Sequence, residues 1–280
     1  GVRADDSEAR AVALVERLGG TVTRDGGRPG SPVTAVDLFL TRAADADLKE
    51  LATLGHLGRL DLGATRVTDA GVKELAGLKT LADLNLGATK VSDAGVKDLT
   101  PLDGLARLNL SGTRLTDAGV RPLAALKNLT SLDLGGTAVT DVGLADLAPL
   151  GKLTHLGLRK VDFRTYGGIK AIAPLTTLTH LDLAEASGVA GVSLKAIAPL
   201  KNLTHLSLRF AELTDADLKE LAPFRNLAAL DLSGTRVTDA GLKDLAPFKS
   251  LASLDLFGTK VTDAGVGAIR AALPDCTVRR

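Results

Sequence analysis

Apolar side chains recur in a fixed frame along most of the chain. Leu57, Leu60 and Leu62 spell L-x-x-L-x-L, and the same spelling returns at Leu81, Leu105, Leu129 and Leu153, each 24 residues after the last. It continues at Leu178, Leu203, Leu227 and Leu251, while Val33, Val36 and Leu38 form a degenerate first copy, making ten in all. Only the steps from 153 to 178 and from 178 to 203 are 25 residues. In the copy LTSLDLGGTAVTDVGLADLAPL (129–150), the first six residues alternate apolar and polar, which predicts a short strand. Leu144, Leu147 and Leu150 then fall on one helical face. Thr140 and Asp141 precede that face as capping residues, and Pro149 sits near its end, where a missing N–H does little harm. Each copy reads strand, turn, short helix, turn, and none can bury its leucines without a neighbour stacked on either side.

Motifs such as LARLNLSGTRLTDAGVRPLAAL (105–126) resemble the leucine-rich-repeat family and its ribonuclease-inhibitor-like branch, over about residues 33–272. The likeness is strongest to bacterial repeat proteins carrying LxxLdLsgTkvTDaGLkeLa. It implies an α/β fold: a right-handed solenoid with a parallel sheet on its concave face and helices on its convex face. It also implies a non-catalytic binding scaffold that meets a protein or peptide on the concave face or its edges. In cysteine-containing relatives the ninth repeat position is Cys or Asn. Here it is Thr65, Thr89, Thr113, Thr137, Thr235 and Thr259, expected to bond turn backbone between neighbouring coils.

Three regions follow. Residues 1–32 read as an N-terminal cap of helix plus strand, 33–272 as the repeats, and 273–280 as a half-repeat cap in which Val278 keeps the strand frame and Cys276 packs. Aromatics make up only 2% of the chain, so its core must be aliphatic. With 34 basic against 33 acidic residues, no long-range field would draw the chain to nucleic acid. No run approaches the roughly 18 apolar residues of a membrane helix, so no membrane insertion is expected. One cysteine excludes an internal disulfide and multi-cysteine metal motifs. Val2-Arg3-Ala4 before Asp5 has the small-x-small form of a signal-peptidase site, which leans toward periplasmic or extracellular export. A monomer is expected.

Binding information should lie in the strand positions that point away from the leucines, the second, third and fifth of each copy. The third runs Ala35, Arg59, Asp83, Arg107, Ser131, His155, His180, His205, Ala229, Ser253. Three consecutive histidines on strands about 4.8 Å apart would stack as a ladder. The same three repeats lose other consensus features. Arg159-Lys160, Ala184-Glu185 and Arg209-Phe210 replace small residues after the strand, and the ninth position becomes Val161, Ala186 and Ala211. TDAG lapses to RTYGG (164–168) and AGVS (190–193). Phe163 is expected in the core, and Tyr166 and Phe210 at the edge of the patch. Departures from consensus that cluster mark the place for individual function.

The candidate site is therefore His155, His180, His205, Arg159, Lys160, Asp182, Glu185, Arg209, Phe210 and Tyr166, on repeats six to eight. Its partner is expected to be a protein or peptide, acidic in character because Arg159, Lys160 and Arg209 outnumber Asp182 and Glu185. Two other readings stay open: a small anionic ligand or metal held by the histidines, or a structural repeat protein without a specific site. KAIAPL stands at both 170–175 and 195–200, so duplication also accounts for the histidines, though not for the differing arginines, Phe210 and Tyr166. No cofactor is expected. The outer histidines of a linear row lie about 9.6 Å apart at the backbone, awkward for one ion. No catalysis is expected either, because nothing activates Ser207 beside His205.

Overall fold

The computed structural model describes residues 4–27, 30–163 and 168–280. The chain forms two compact units, residues 1–133 and 134–280. In the first, helix α1 (Ala4–Arg17) buries Ala11, Leu14 and Val15. Strand β1 (Thr21–Arg24) runs antiparallel to β2 (Val33–Asp37). Four parallel strands follow, each preceded by a short helix: α2 (Asp45–Leu51), β3 (Arg59–Asp61), α3 (Asp69–Glu74), β4 (Asp83–Asn85), α4 (Asp93–Asp98), β5 (Arg107–Asn109), α5 (Asp117–Leu123) and β6 (Ser131–Asp133). From β2 to β6 the third-position residues pair directly: Ala35 with Arg59, then Asp83, Arg107 and Ser131.

The second unit repeats the scheme with α6 (Asp141–Leu144), β7 (His155–Gly157), β8 (His180–Asp182), α7 (Gly191–Ala196), β9 (His205–Ser207), β10 (Ala229–Asp231), α8 (Asp239–Leu242), β11 (Ser253–Asp255), α9 (Asp263–Ala272) and β12 (Thr277–Arg279). All six strands are parallel and in register. The two 25-residue repeats do not disturb it, since His155 pairs with His180 and His180 with His205. Their extra residue is absorbed outside the sheet. Val278, opposite Leu254, and Cys276 are both buried at the final strand, and burial pushes the Cys276 thiol above its ordinary range.

The segments between strands are the short helices that the sequence pattern predicts, and some are tighter than α-helix. Helices α2 to α8 span four to seven residues, and Gly168–Ile172 and Asp215–Leu221 are 3₁₀ turns. Once the strand and two turns are subtracted, a 24-residue coil leaves room for only one or two helical turns, and the 3₁₀ form covers more distance per residue. Beneath both faces, leucine columns such as Leu60, Leu84, Leu206 and Leu230 are 0–2% exposed. Phe163, Phe224 and Phe248 are buried with them.

The TDAG segments join one coil to the next. Each Thr or Ser caps its own helix, as Thr68 does by accepting from the Ala70 N–H. The following Asp reaches forward: Asp69 accepts from the Ser92 N–H at 2.7 Å and from its hydroxyl at 2.6 Å. Asp45 with Thr68, Asp93 with Thr116, Asp215 with Thr238 and Asp239 with Thr262 repeat the arrangement. The glycine of the motif makes room for that carboxylate, since a Cβ on Gly95 would stand 2.5 Å from Asp69 Oδ1. At Asp239 the two Thr262 bonds hold the carboxyl below its ordinary pKa.

The ninth-position threonines bond differently from expectation. Thr65, Thr89 and Thr113 each donate to the leucine carbonyl three residues back in their own coil, at 2.6 Å. Their role is to close a turn, while the aspartates tie coils together. Among the described residues no helix is long and apolar enough to cross a membrane. Removing one inter-coil carboxylate by Asp215→Ala strands two donors on Thr238 and is expected to cost about 2 kcal/mol, measured as a lower denaturant midpoint with unchanged m-value.

Candidate functional site

The histidine column forms as a stack. The His155 and His180 ring centroids lie 3.9 Å apart with planes inclined by 16°, and those of His180 and His205 lie 4.0 Å apart at 11°. Each Nδ1 meets the hydroxyl of the preceding threonine at 2.9 Å, in the pairs Thr154–His155, Thr179–His180 and Thr204–His205. Two of those hydroxyls also reach the coil before: Thr179 Oγ1 donates to the Thr154 carbonyl and Thr204 Oγ1 to the Thr179 carbonyl, both at 3.1 Å. The middle ring is the least exposed. Burial first, then the charges of His155 and His205, lower the His180 pKa from the ordinary 6.5. Stacked rings point their free lone pairs in parallel rather than toward one point. Among the described residues no group of three or more ligating side chains converges on a metal position.

The basic residues are largely committed. Glu185 accepts from Arg159 through Nε at 3.1 Å and Nη2 at 2.5 Å, and lies 3.5 Å from Lys160 Nζ. The hydrogen bond from Arg159 is the main cause of its lowered pKa. Arg209 lies over the Phe210 ring, 4.9 Å from its centroid. Asp182 is committed too, because its Oδ1 accepts from the Ala184 N–H at 2.8 Å to shape the turn after β8. Most of the fifth column works this way. Asp37, Asp61, Asn85, Asn109, Asp231 and Asp255 each accept from the N–H two residues on. Tyr166 lies outside the described residues.

A backbone feature that the sequence pattern did not reveal frames the patch. The eighth repeat position has a left-handed φ in all ten coils: Gly112, Gly136, Gly234 and Gly258 in four, Leu40, Ala64 and Ala88 in the first three, and Lys160, Glu185 and Phe210 in coils six to eight. The bend lets this N–H reach the next coil, as Lys160 does to the Ala184 carbonyl, Glu185 to Arg209 and Phe210 to Ser233. For a residue with a Cβ the conformation costs roughly 1–2 kcal/mol. Three neighbouring coils therefore hold large side chains where glycine would fit without strain. Phe210 is 53% exposed and its ring lies on Gly234, where a Cβ would stand 2.1 Å from it.

The first unit carries a different third column. Asp83 lies 3.7 Å from Arg59 and 2.9 Å from Arg107, at the wall of an open basin of about 450 Å³. Asn85 and Asn109 line its other side. Its residues were legible in the same column but did not stand out, because each follows the consensus turn that comes after it.

Five segments match the sequence profile of the leucine-rich repeat: 105–124, 125–148, 200–222, 225–246 and 249–269. The chain carries leucine-rich repeats. Solved leucine-rich-repeat structures share its fold. An internalin (inlF) from Listeria monocytogenes is 18% identical and superposes with a TM-score of 0.52, covering 96% of this chain and 94% of its own. A leucine-rich-repeat protein of Leptospira interrogans is 21% identical, with a TM-score of 0.55 over 83% of this chain and 68% of its own. The ectodomain of the Arabidopsis receptor kinase HAESA, solved with an N-terminal extended IDA peptide hormone ligand, is 18% identical, with a TM-score of 0.57 over 91% of this chain and half of its own. A comparison with curated proteins gave no match.

Two outcomes follow from this leucine-rich-repeat patch. Because the folded pKa of His180 is depressed, folding favours its neutral form, and that stability is present above pH 6.5 and lost as pH falls through the folded value. The thermal midpoint should fall more between pH 8 and pH 5 for the native chain than for His180→Gln. Gly234→Ala, at φ +69° and against Phe210, should cost about 1–2 kcal/mol and displace the ring, visible as a change in Phe210 ring NMR shifts.

Proposed function

We propose that this chain is a non-catalytic scaffold that binds a protein or peptide through the sheet face of repeats six to eight. The observation that carries the reading is the coincidence, in the same three coils, of stacked histidines with large side chains held in a left-handed bend. Backbone strain of that kind concentrates where a side chain is needed for something other than folding. Duplication would copy LTHL, yet it would not place Lys160, Glu185 and Phe210, three different residues, at the strained position in succession. The peptide-bound HAESA ectodomain supplies a precedent for this fold engaging a peptide. Leucine-rich-repeat proteins are typically binding scaffolds rather than enzymes. Phe210 is the apolar anchor of the surface and the histidines its polar centre.

Partner capture from extract of the source cell, compared between the native chain and the His155, His180, His205→Ala variant, tests the reading. A partner retained by the native chain should be lost or weakened about tenfold or more by the triple change. It should be weakened less by Arg59→Ala, which lies in the other unit. Equal capture by native and triple variant would reject the site.

A further inference from the structure

The hydrogen-bond chain under the histidines fixes which ring nitrogen carries the proton, and that decides what kind of group the stack can recognise. A threonine hydroxyl has one proton to give. Thr179 lies within bonding distance of the Thr154 carbonyl, which can only accept, and of His180 Nδ1, which can either give or accept. Both contacts are hydrogen bonds only if the hydroxyl donates to the carbonyl and accepts from an Nδ1–H. Thr204 and His205 repeat the arrangement, with the carbonyl of Thr179 as acceptor. His155 makes the same Nδ1 contact to Thr154. In the neutral rings of His180 and His205 the proton is then on Nδ1 and the lone pair on Nε2, His155 is assigned the same form from its matching Nδ1 contact, and none of the three Nε2 atoms has a partner among the described residues.

We infer that, resting on the site proposed above, the neutral stack is a row of three hydrogen-bond acceptors, about 4 Å apart by its ring spacing, that recognises uncharged donors, the amide or hydroxyl side chains of a peptide. The surrounding charges favour the same partner. The charged residues of the three repeats around the stack are Arg159, Lys160 and Arg209 against Asp182 and Glu185, and β10, paired with the His205 strand, adds Asp231. Arg159 and Lys160 are paired with Glu185, and Arg209 lies on Phe210. Neither charged partner gains from a surface with three cations and three anions. An anionic one meets three lone pairs and no free proton at the centre of the site. Protonation adds hydrogens only at Nε2, so acid turns the acceptor row into a donor row, and the acidic partner expected from composition becomes the better ligand only then.

An isosteric pair of probes tests the polarity. Two fluorescently labelled octapeptides differ only in carrying glutamine or glutamate at alternate positions, and their affinity is read by anisotropy near pH 8 and pH 5. At the higher pH the glutamine peptide should bind about tenfold more tightly, and at the lower pH the order should invert. The variant with all three histidines replaced by phenylalanine, which keeps stacked rings without nitrogens, should show neither preference. Tighter glutamate binding near pH 8 overturns the acceptor row while leaving the site intact. Equal binding of both peptides to native and triple variant, or binding of neither, overturns this inference and the site with it. Independently, ¹⁵N spectra near pH 8 should show Nε2 as the bare nitrogen in all three rings, and protonated Nε2 with bare Nδ1 would reject the premise.

Discussion

A coil that contributes three strand residues to a sheet cannot bury its leucines, or satisfy its backbone, unless the coil on each side lies in the same hydrogen-bond register. Both units are organised around that requirement. The strands hold the register on one face, and aspartate bonds to a threonine or serine of the next coil hold it at the start of five of the helical segments. The left-handed eighth residue extends the pairing one step beyond the strand. Leucine burial supplies the bulk of the stabilisation. The polar bonds decide which leucine faces which, and a slip of one residue would turn every buried side chain outward.

That register made much of the fold legible from spacing alone. Leu60 faces Leu84 because they are 24 residues apart, and the same arithmetic brings His155, His180 and His205 into one column across the longer repeats. Spacing did not show what polar side chains do once they are side by side. Asp182 and its column read as surface, yet they close turns. The ninth-position threonines read as ties between coils, yet they bond their own backbone. Side-chain direction decides these cases, and a one-dimensional pattern carries no direction. The short helices were legible too, but helical spacing of apolar residues persists through a 3₁₀ turn, so Gly168–Ile172 and Asp215–Leu221 could not be told from α-helix.

Within the candidate site, the charge count taken from composition lost most of its force. Glu185 accounts for both Arg159 and Lys160, which leaves a patch defined less by net charge than by the orientation of hydrogen bonds. Threonine in the second position is what orients them. The stack ends at Ala229, where the preceding residue is Ala228, which has no hydroxyl to receive an Nδ1 proton. Every ring of the stack thus has a threonine before it, in the pairs Thr154–His155, Thr179–His180 and Thr204–His205.

The stack also has a pitch of its own. Its rings stand 3.9 and 4.0 Å apart, while neighbouring strands lie about 4.8 Å apart. The imidazoles lean together, gaining about 0.8 Å on the backbone at each step. Two such scales agree over a short run and drift apart over a long one, as on a vernier. Each further ring would add its own share of that offset, which bounds the length of a stack in such a column.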